Sequence, residues 1–401
     1  MLVSPFAFYR GAAAVMAHDL AATPRTGLDV QLCGDAHLLN FGGFASPERD
    51  LVFDLNDFDE TLRGPFEWDV KRLAASFEIV GRERGFGKGQ RRQQVLDAVR
   101  AYREAMRDFA GKGDLEVWYA RLDAGAFLAR IQAMHDRKLE TQLEHTMAKA
   151  LRNDDMRALS KLTHEVDGQR RLVSEPPLIV PIGDLAGQDA ADEAESQIRG
   201  LFRGYRRALR PDLRSLVDQY HYVDLARKVV GVGSVGTRCW VVLLQGRDGR
   251  DPLFLQVKEA GGSVLEPYLG GRKVGNQGKR VVEGQRLMQA ASDIFLGWTH
   301  DESAGRDYYV RQLRDWKSSA DIATIEPRGL TEYAGACGRT LARAHARSGD
   351  RIAISAYLGN GDRFDRALAE LASAYADLNE RDHRALTKAV ASGEVEAVEG
   401  V

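Results

Sequence analysis

An aspartate followed five positions later by an asparagine, Asp35 and Asn40 in Gly34-Asp35-Ala36-His37-Leu38-Leu39-Asn40-Phe41-Gly42, lies just upstream of the acidic stretch Leu51-Val52-Phe53-Asp54-Leu55-Asn56-Asp57-Phe58-Asp59. Those residue types can carry phosphoryl transfer. One carboxylate orients an attacking hydroxyl, while an amide oxygen and a second carboxylate hold magnesium against nucleotide phosphates. Asp and Asn are also ordinary turn residues, because their short side chains bond nearby backbone. Here two acidic or amide clusters each follow a hydrophobic run, Val30-Gln31-Leu32-Cys33 and Leu51-Val52-Phe53, and turn chemistry does not require that repetition.

A second group of residues lies far downstream. Gly231-Val232-Gly233-Ser234-Val235-Gly236 is a GxGxxG pattern that continues into Thr237-Arg238-Cys239-Trp240-Val241-Val242, a β-branched and aromatic strand. A dinucleotide-binding turn must open a helix instead, and a P-loop must end in Gly-Lys-Ser/Thr, so both are excluded. What fits is a glycine loop between antiparallel strands, with the backbone at Gly231, Gly233, Ser234 and Gly236 covering nucleotide phosphates. Lys258 ends the apolar run Leu253-Phe254-Leu255-Gln256-Val257, where a buried ammonium is costly without a partner. Glu283, on the following helix, is the expected partner, and together they would grip the α- and β-phosphates. The plainer alternative is a solvated strand end and a surface carboxylate; the order after a glycine loop favours the functional reading.

These groups need elements to hold them. Helical periodicity is expected over residues 5–22, over 66–77 with Trp68, Leu73 and Phe77 buried, and along a stripe of Val95, Val99, Tyr102, Met106 and Phe109. Further helix is expected over 115–162, 189–211, 279–291 and from 331 onward. Short strands are expected at 229–230, 240–244, 253–257 and 308–313. The chain of 401 residues is long enough for two lobes. The reading is an α+β protein: a helical part at residues 1–215, a β-rich nucleotide-clamping part at 216–318, and helices of 319–401 returning to the first. A net charge of -2 argues against a general nucleic-acid binder. Cys33, Cys239 and Cys337 lack metal or disulfide spacing. Arg10, His18 and Asp19 interrupt the apolar pattern of the N-terminus, and no apolar run reaches membrane-spanning length, so a cytoplasmic protein without membrane contact is expected.

Together these residues resemble the protein-kinase-like superfamily, and Gly34-Asp35-Ala36-His37-Leu38-Leu39-Asn40 looks most like the catalytic loop of aminoglycoside and choline phosphotransferases. Their pattern is His-Gly-Asp-x-His-x-x-Asn, and Cys33 stands here in place of the first His. The resemblance implies catalytic roles for Asp35, His37 and Asn40, with metal held by Asn40 and Asp57, Asp54 competing for the latter role. It also implies that Asp69 braces the loop from below, and that ATP and magnesium are the cofactors. The catalytic half precedes the nucleotide-clamping half, so the implied two-lobed fold would be circularly permuted. Only twelve positions separate Asp57 from Asp69, too few for the activation segment on which protein kinases dock peptides, so a small-molecule hydroxyl acceptor is expected. The alternatives are a nucleotide-binding pseudokinase, or a nucleotidyl transferase, acting on or through a protein partner. Over nearly its whole length the chain is also similar to a bacterial family known only as a domain of unknown function.

Overall fold

The computed structural model describes residues 1–133, 135–152, 155–166, 169–184, 187–229, 237–270, 274–313 and 316–397. Every ladder among them is antiparallel, and the strands gather into separate small sheets beside long helices, which makes the protein α+β as expected. No helix among the described residues is long and apolar enough to cross a membrane.

Two short helices open the chain, α1 (Pro5–Gly11) and α2 (Ala13–Ala21). Ser4 caps the first by accepting from the Ala7 N–H, with Pro5 in the first turn where its missing donor costs nothing. One helix over 5–22 was expected; the chain instead breaks at Ala12, which lets Phe6 and Tyr9, then Met16 and Leu20, all enter one core. Strands β1 (Asp29–Leu32), β2 (Phe41–Ala45), β3 (Leu51–Leu55) and β4 (Leu62–Pro65) follow, β1 pairing with β4 and β2 with β3.

Helix α3 (Phe66–Glu83) is the axis of this half. Residues 66–81 are buried all round, including Glu67, Asp69, Lys71, Arg72 and Glu78. Buried charges are tolerated only when paired. Glu67 accepts from the Thr26 N–H and hydroxyl at 2.8 Å each, Glu78 meets Arg82 and Arg91 at 2.9 and 3.0 Å, and Asp69 and Arg72 turn to the loop around Asp35. Helix α4 (Lys88–Ala110) carries the expected stripe inward.

Beyond it, β5 (Ile179–Pro181), α5 (Gly187–Ala208), β6 (His221–Lys228), β7 (Cys239–Gln245), β8 (Pro252–Ala260), α6 (Gln277–Met288), β9 (Gly297–Asp301) and β10 (Arg306–Gln312) build the second half. The six strands order as β9-β10-β8-β7-β6-β5. Both faces of this sheet are apolar. Ile198, Leu201, Tyr205 and Leu209 cover one, and Ala158, Leu159 and Leu162 the other. Ala158, Leu159, Leu162, Ile198, Leu201, Tyr205 and Leu209, all before residue 215, pack on this sheet, because a two-faced apolar sheet needs a helical layer on each side. Strand β9 was not anticipated.

Helices α7 (Pro327–Ala346) and α8 (Arg363–Ala391) return to the first half. Gly338 lets α7 lie directly on α4, since a Cβ there would come within 2.0 Å of the Ala98 carbonyl oxygen.

Candidate active site

The loop after β1 is held at every step. Gly34 has a positive φ of 83°, and a Cβ on it would sit 2.4 Å from the Glu60 carbonyl oxygen, so only glycine fits. Asp69 accepts from the backbone N–H of Cys33 at 2.8 Å and of Gly34 at 3.1 Å. His345 Nε2 lies 3.2 Å from Asp69, and its Nδ1 lies 2.9 Å from the Tyr102 hydroxyl. Because a carboxylate can only accept, this order puts the imidazole proton on Nε2 and makes Tyr102 the donor to Nδ1. Further along, the Ser76 hydroxyl accepts from the Leu38 N–H at 3.1 Å, and the Tyr333 hydroxyl reaches the carbonyls of Leu38 and Phe41. Cys33 contributes its backbone only; burial, then the Asp69 charge, push its thiol well above the usual range.

Asp35 is half-buried and pairs with Arg72, whose Nε donates to Oδ1 at 2.5 Å. Arg72 is itself fixed, donating to the Tyr9 carbonyl at 2.9 Å and lying over the Tyr9 ring at 4.4 Å. One helix thus grips the loop twice, Asp69 by its backbone and Arg72, a turn later, by its carboxylate. His37 is buried, its Nε2 standing 3.7 Å from Asp35 Oδ2, beyond hydrogen-bond reach. Desolvation, despite the pull of Asp35, lowers its pKa to about 4, so the ring is neutral at pH 7. Its Nδ1 accepts from the Leu39 N–H at 3.2 Å, a turn-capping role. The Asn40 amide donates from Nδ2 to the Asp35 carbonyl at 2.6 Å, and Oδ1 has no partner among the described residues. The Asn40 carbonyl accepts from the Asn56 N–H at 2.9 Å, tying the loop to the acidic turn.

The two competing carboxylates of that turn differ sharply. Asp54 is buried and fully engaged: Oδ1 takes Arg343 and the Leu55 N–H, and Oδ2 takes the Ala290 N–H at 2.8 Å. Its expected place as a metal ligand is corrected, for its oxygens are already used to neutralise a buried arginine. Asp57 makes one weak backbone contact, accepting from the Asp59 N–H at 3.2 Å, and no ion pair among the described residues. Desolvation, then the charge of Asp59, raise its pKa, and Asp35 adds to the repulsion. Burial works against the Asp59 charge too, but Lys258, in contact, outweighs it and holds that carboxyl below its usual range. Glu60 is pushed up to about 7 by burial, with Asp59 contributing, and accepts from the Val264 N–H at 2.7 Å.

From the sheet side, Lys258 on β8 meets Asp59, and Tyr309 on β10 donates to the other Asp59 oxygen at 2.8 Å. Glu283 does not reach Lys258. Its side chain is 61% exposed and lies 3.6 Å from Lys279, one turn earlier on α6. Arg280 is the buried charge on α6, and it donates to the carbonyls of Thr61, Asp59 and Gly261 at 2.7, 2.8 and 2.9 Å. The expected partner of Lys258 is thereby corrected from Glu283 to Asp59. Strands β6 and β7 pair antiparallel, and β7 lies beside the lysine strand β8. Gly231, Gly233, Ser234 and Gly236 themselves lie outside the described residues.

Two oxygens that no described residue claims, Asn40 Oδ1 and one from Asp57, are of the hard type a divalent cation takes. The described residues hold no cluster of three or more His, Cys, Asp or Glu that would cage one unaided. Magnesium commonly takes only one or two protein ligands and completes its shell with water and substrate phosphates, so the donor set fits. A cavity of about 10 Å³ beneath the loop, lined by Met16, Leu32, Trp68 and Leu265 together with Asp69 and Arg72, has room for roughly one water. Arg72, Asp59, Tyr309 and His345 were not singled out from the sequence. Of these, only Asp59 had a visible signal, its place in the Asp-x-Asp pair.

Fold and site thus define an α+β protein in which a rigid acidic loop pair meets a lysine-bearing antiparallel sheet. The chain belongs to the DUF2252 family, described as uncharacterized proteins conserved in bacteria, whose model matches residues 1–389. No curated protein and no solved structure matches it.

Proposed function

We propose that the protein is an ATP- and magnesium-dependent phosphotransferase acting on a hydroxyl of a small molecule. The observation that carries this reading is the pair of oxygens on Asn40 and Asp57 that no described residue claims. Asn40 is tied to Asp35 through its amide, and Asp57 feels the charges of Asp59, Lys258 and Asp35. Asp35, with one oxygen held by Arg72, keeps the other for the acceptor hydroxyl, which it orients and whose proton it takes. Asn40 and Asp57 hold magnesium, which when bound neutralises charge on the phosphates. Lys258 supplies a fixed positive charge to the same phosphates. Neutral His37 shapes the loop and carries no proton in the reaction.

Support for a small acceptor comes from the span between Asp57 and Asp69, which is filled by the acidic turn, β4 and the first turn of α3. It leaves no loop for docking a peptide. The circularly permuted order belongs to the same proposal: the glycine-rich segment and the lysine strand come after the catalytic loop in the chain. Thermal-shift titration with ATP and magnesium tests the reading. Wild type should gain stability only when both are present, and Asp57→Asn should lose that gain. No shift at millimolar Mg-ATP would overturn it.

A further inference from the structure

The geometry points to Asp59, held in turn by Tyr309, as the residue that positions Lys258 for the phosphates, in place of a carboxylate on the helix that follows the lysine strand. This rests on the phosphotransferase reading above. Lys258 is 4% exposed at the end of the apolar run Leu253 to Val257, where an ammonium must have a partner to be there at all. Its ion-pair partner among the described residues is Asp59.

Asp59 is unusually well fixed. One carboxylate oxygen takes Lys258 and the other takes the Tyr309 hydroxyl at 2.8 Å. Its carbonyl accepts from Arg280 at 2.8 Å, and its N–H donates to Asp57 at 3.2 Å. Tyr309 stands directly opposite Lys258 in the β8–β10 ladder, so both side chains leave the sheet on one face and meet the same carboxylate. Glu283 points to solvent. In protein kinases the lysine is paired by a glutamate on a movable helix, and the position of that helix controls activity. Here the positioning carboxylate is two residues from the metal carboxylate Asp57, on one turn. Lysine and metal ligand are therefore set together by one turn, which Arg280 of α6 braces through the Asp59 carbonyl.

The test is isothermal titration of the full chain with Mg-ATP in wild type, Asp59→Asn, Tyr309→Phe and Glu283→Gln, joined to an unfolding cycle of Asp59→Asn with Lys258→Met. Loss of a charge-assisted contact should weaken Mg-ATP binding about tenfold in Asp59→Asn, and loss of one hydrogen bond about threefold in Tyr309→Phe. Glu283→Gln should bind as wild type. In the cycle, the double variant should lose less Tm than the two single losses summed. Wild-type affinity in both Asp59→Asn and Tyr309→Phe, a loss in Glu283→Gln equal to that in Asp59→Asn, or strictly additive Tm losses would each overturn the inference while leaving nucleotide binding intact. A wild type that binds no Mg-ATP overturns the phosphotransferase reading and the positioning role with it, and the cycle then reports on the ion pair alone.

Discussion

Asp54 and Asp57 lie three residues apart, yet replacing each by asparagine should have opposite consequences. Asp54 neutralises Arg343 inside the core and accepts the N–H groups of Leu55 and Ala290. Whichever way an asparagine amide turns there, its NH2 faces a donor, and the arginine charge is left buried and uncompensated. Breaking a buried pair in this way costs about 3–5 kcal/mol. With an unfolding entropy of about 2.1 cal/mol/K per residue, the 401-residue chain has roughly 0.8 kcal/mol/K, so Tm should fall by about 4–6 °C.

Asp57 has no cation in contact among the described residues, and desolvation and Asp59 raise its pKa. A raised carboxyl pKa means that the folded state holds the proton more tightly, so its ionised form costs stability. That cost is absent below the unfolded pKa of about 4 and develops as pH rises through the folded value. Asp57→Asn should therefore leave the unliganded protein as stable as wild type or more so at neutral pH, with no gain in acid. Mg-ATP at a hundredfold excess over Kd adds about 2.7 kcal/mol, or roughly 3 °C here, to wild type and to Asp54→Asn, but not to Asp57→Asn. Scanning calorimetry of the three proteins with and without Mg-ATP reads both effects. An Asp54→Asn variant as stable as wild type, or a full ligand shift in Asp57→Asn, would refute the assignment.

Three further outcomes follow from the loop. Arg72→Met should lower ADP release by about a hundredfold through misplacement of Asp35, while Mg-ATP affinity stays near wild type; equal losses in both would show that Arg72 serves the fold alone. Gly34→Ala should destabilise by at least about 1–3 kcal/mol in denaturant unfolding, since both the positive φ and the nearby Glu60 carbonyl oppose a Cβ. The depressed pKa of His37 means that the folded state binds its proton less readily than the unfolded chain. Stability contributed by the neutral ring is therefore complete above about pH 6.5 and is lost progressively as pH falls toward 4, by up to about 3 kcal/mol. His37→Gln should flatten that part of the stability-versus-pH curve, and an unchanged acid limb would contradict the burial argument.

Much of this protein was legible in its sequence, and the reason is periodicity. Val95, Val99, Tyr102, Met106 and Phe109 recur at helical spacing and all turn inward on α4. Trp68, Leu73 and Phe77 do the same on α3. The turn from a helical to a β texture near residue 220 marks where the strands of the large sheet begin in earnest. The break at Ala12 and strand β9 were not legible, because neither carries a Pro or a strong alternating pattern that would mark it locally. Nor did the apolar face of α5 say what would cover it.

Residue type and local spacing by themselves determined the α+β class, the main helices and strands, and the presence of an acidic loop pair and a lysine strand. Tertiary structure alone decided which charges meet. Lys258 finds Asp59 across 199 positions, Arg343 finds Asp54 across 289, and Arg72 reaches Asp35 from a different element. A side chain's periodic position sets the face on which it lies, and so whether it is buried. Which opposite charge it meets there depends on the packing of distant segments, and no local pattern encodes that choice. Asp54 and Asp57 look alike in the chain; only the arrival of Arg343 beside one of them makes it structural and leaves the other open.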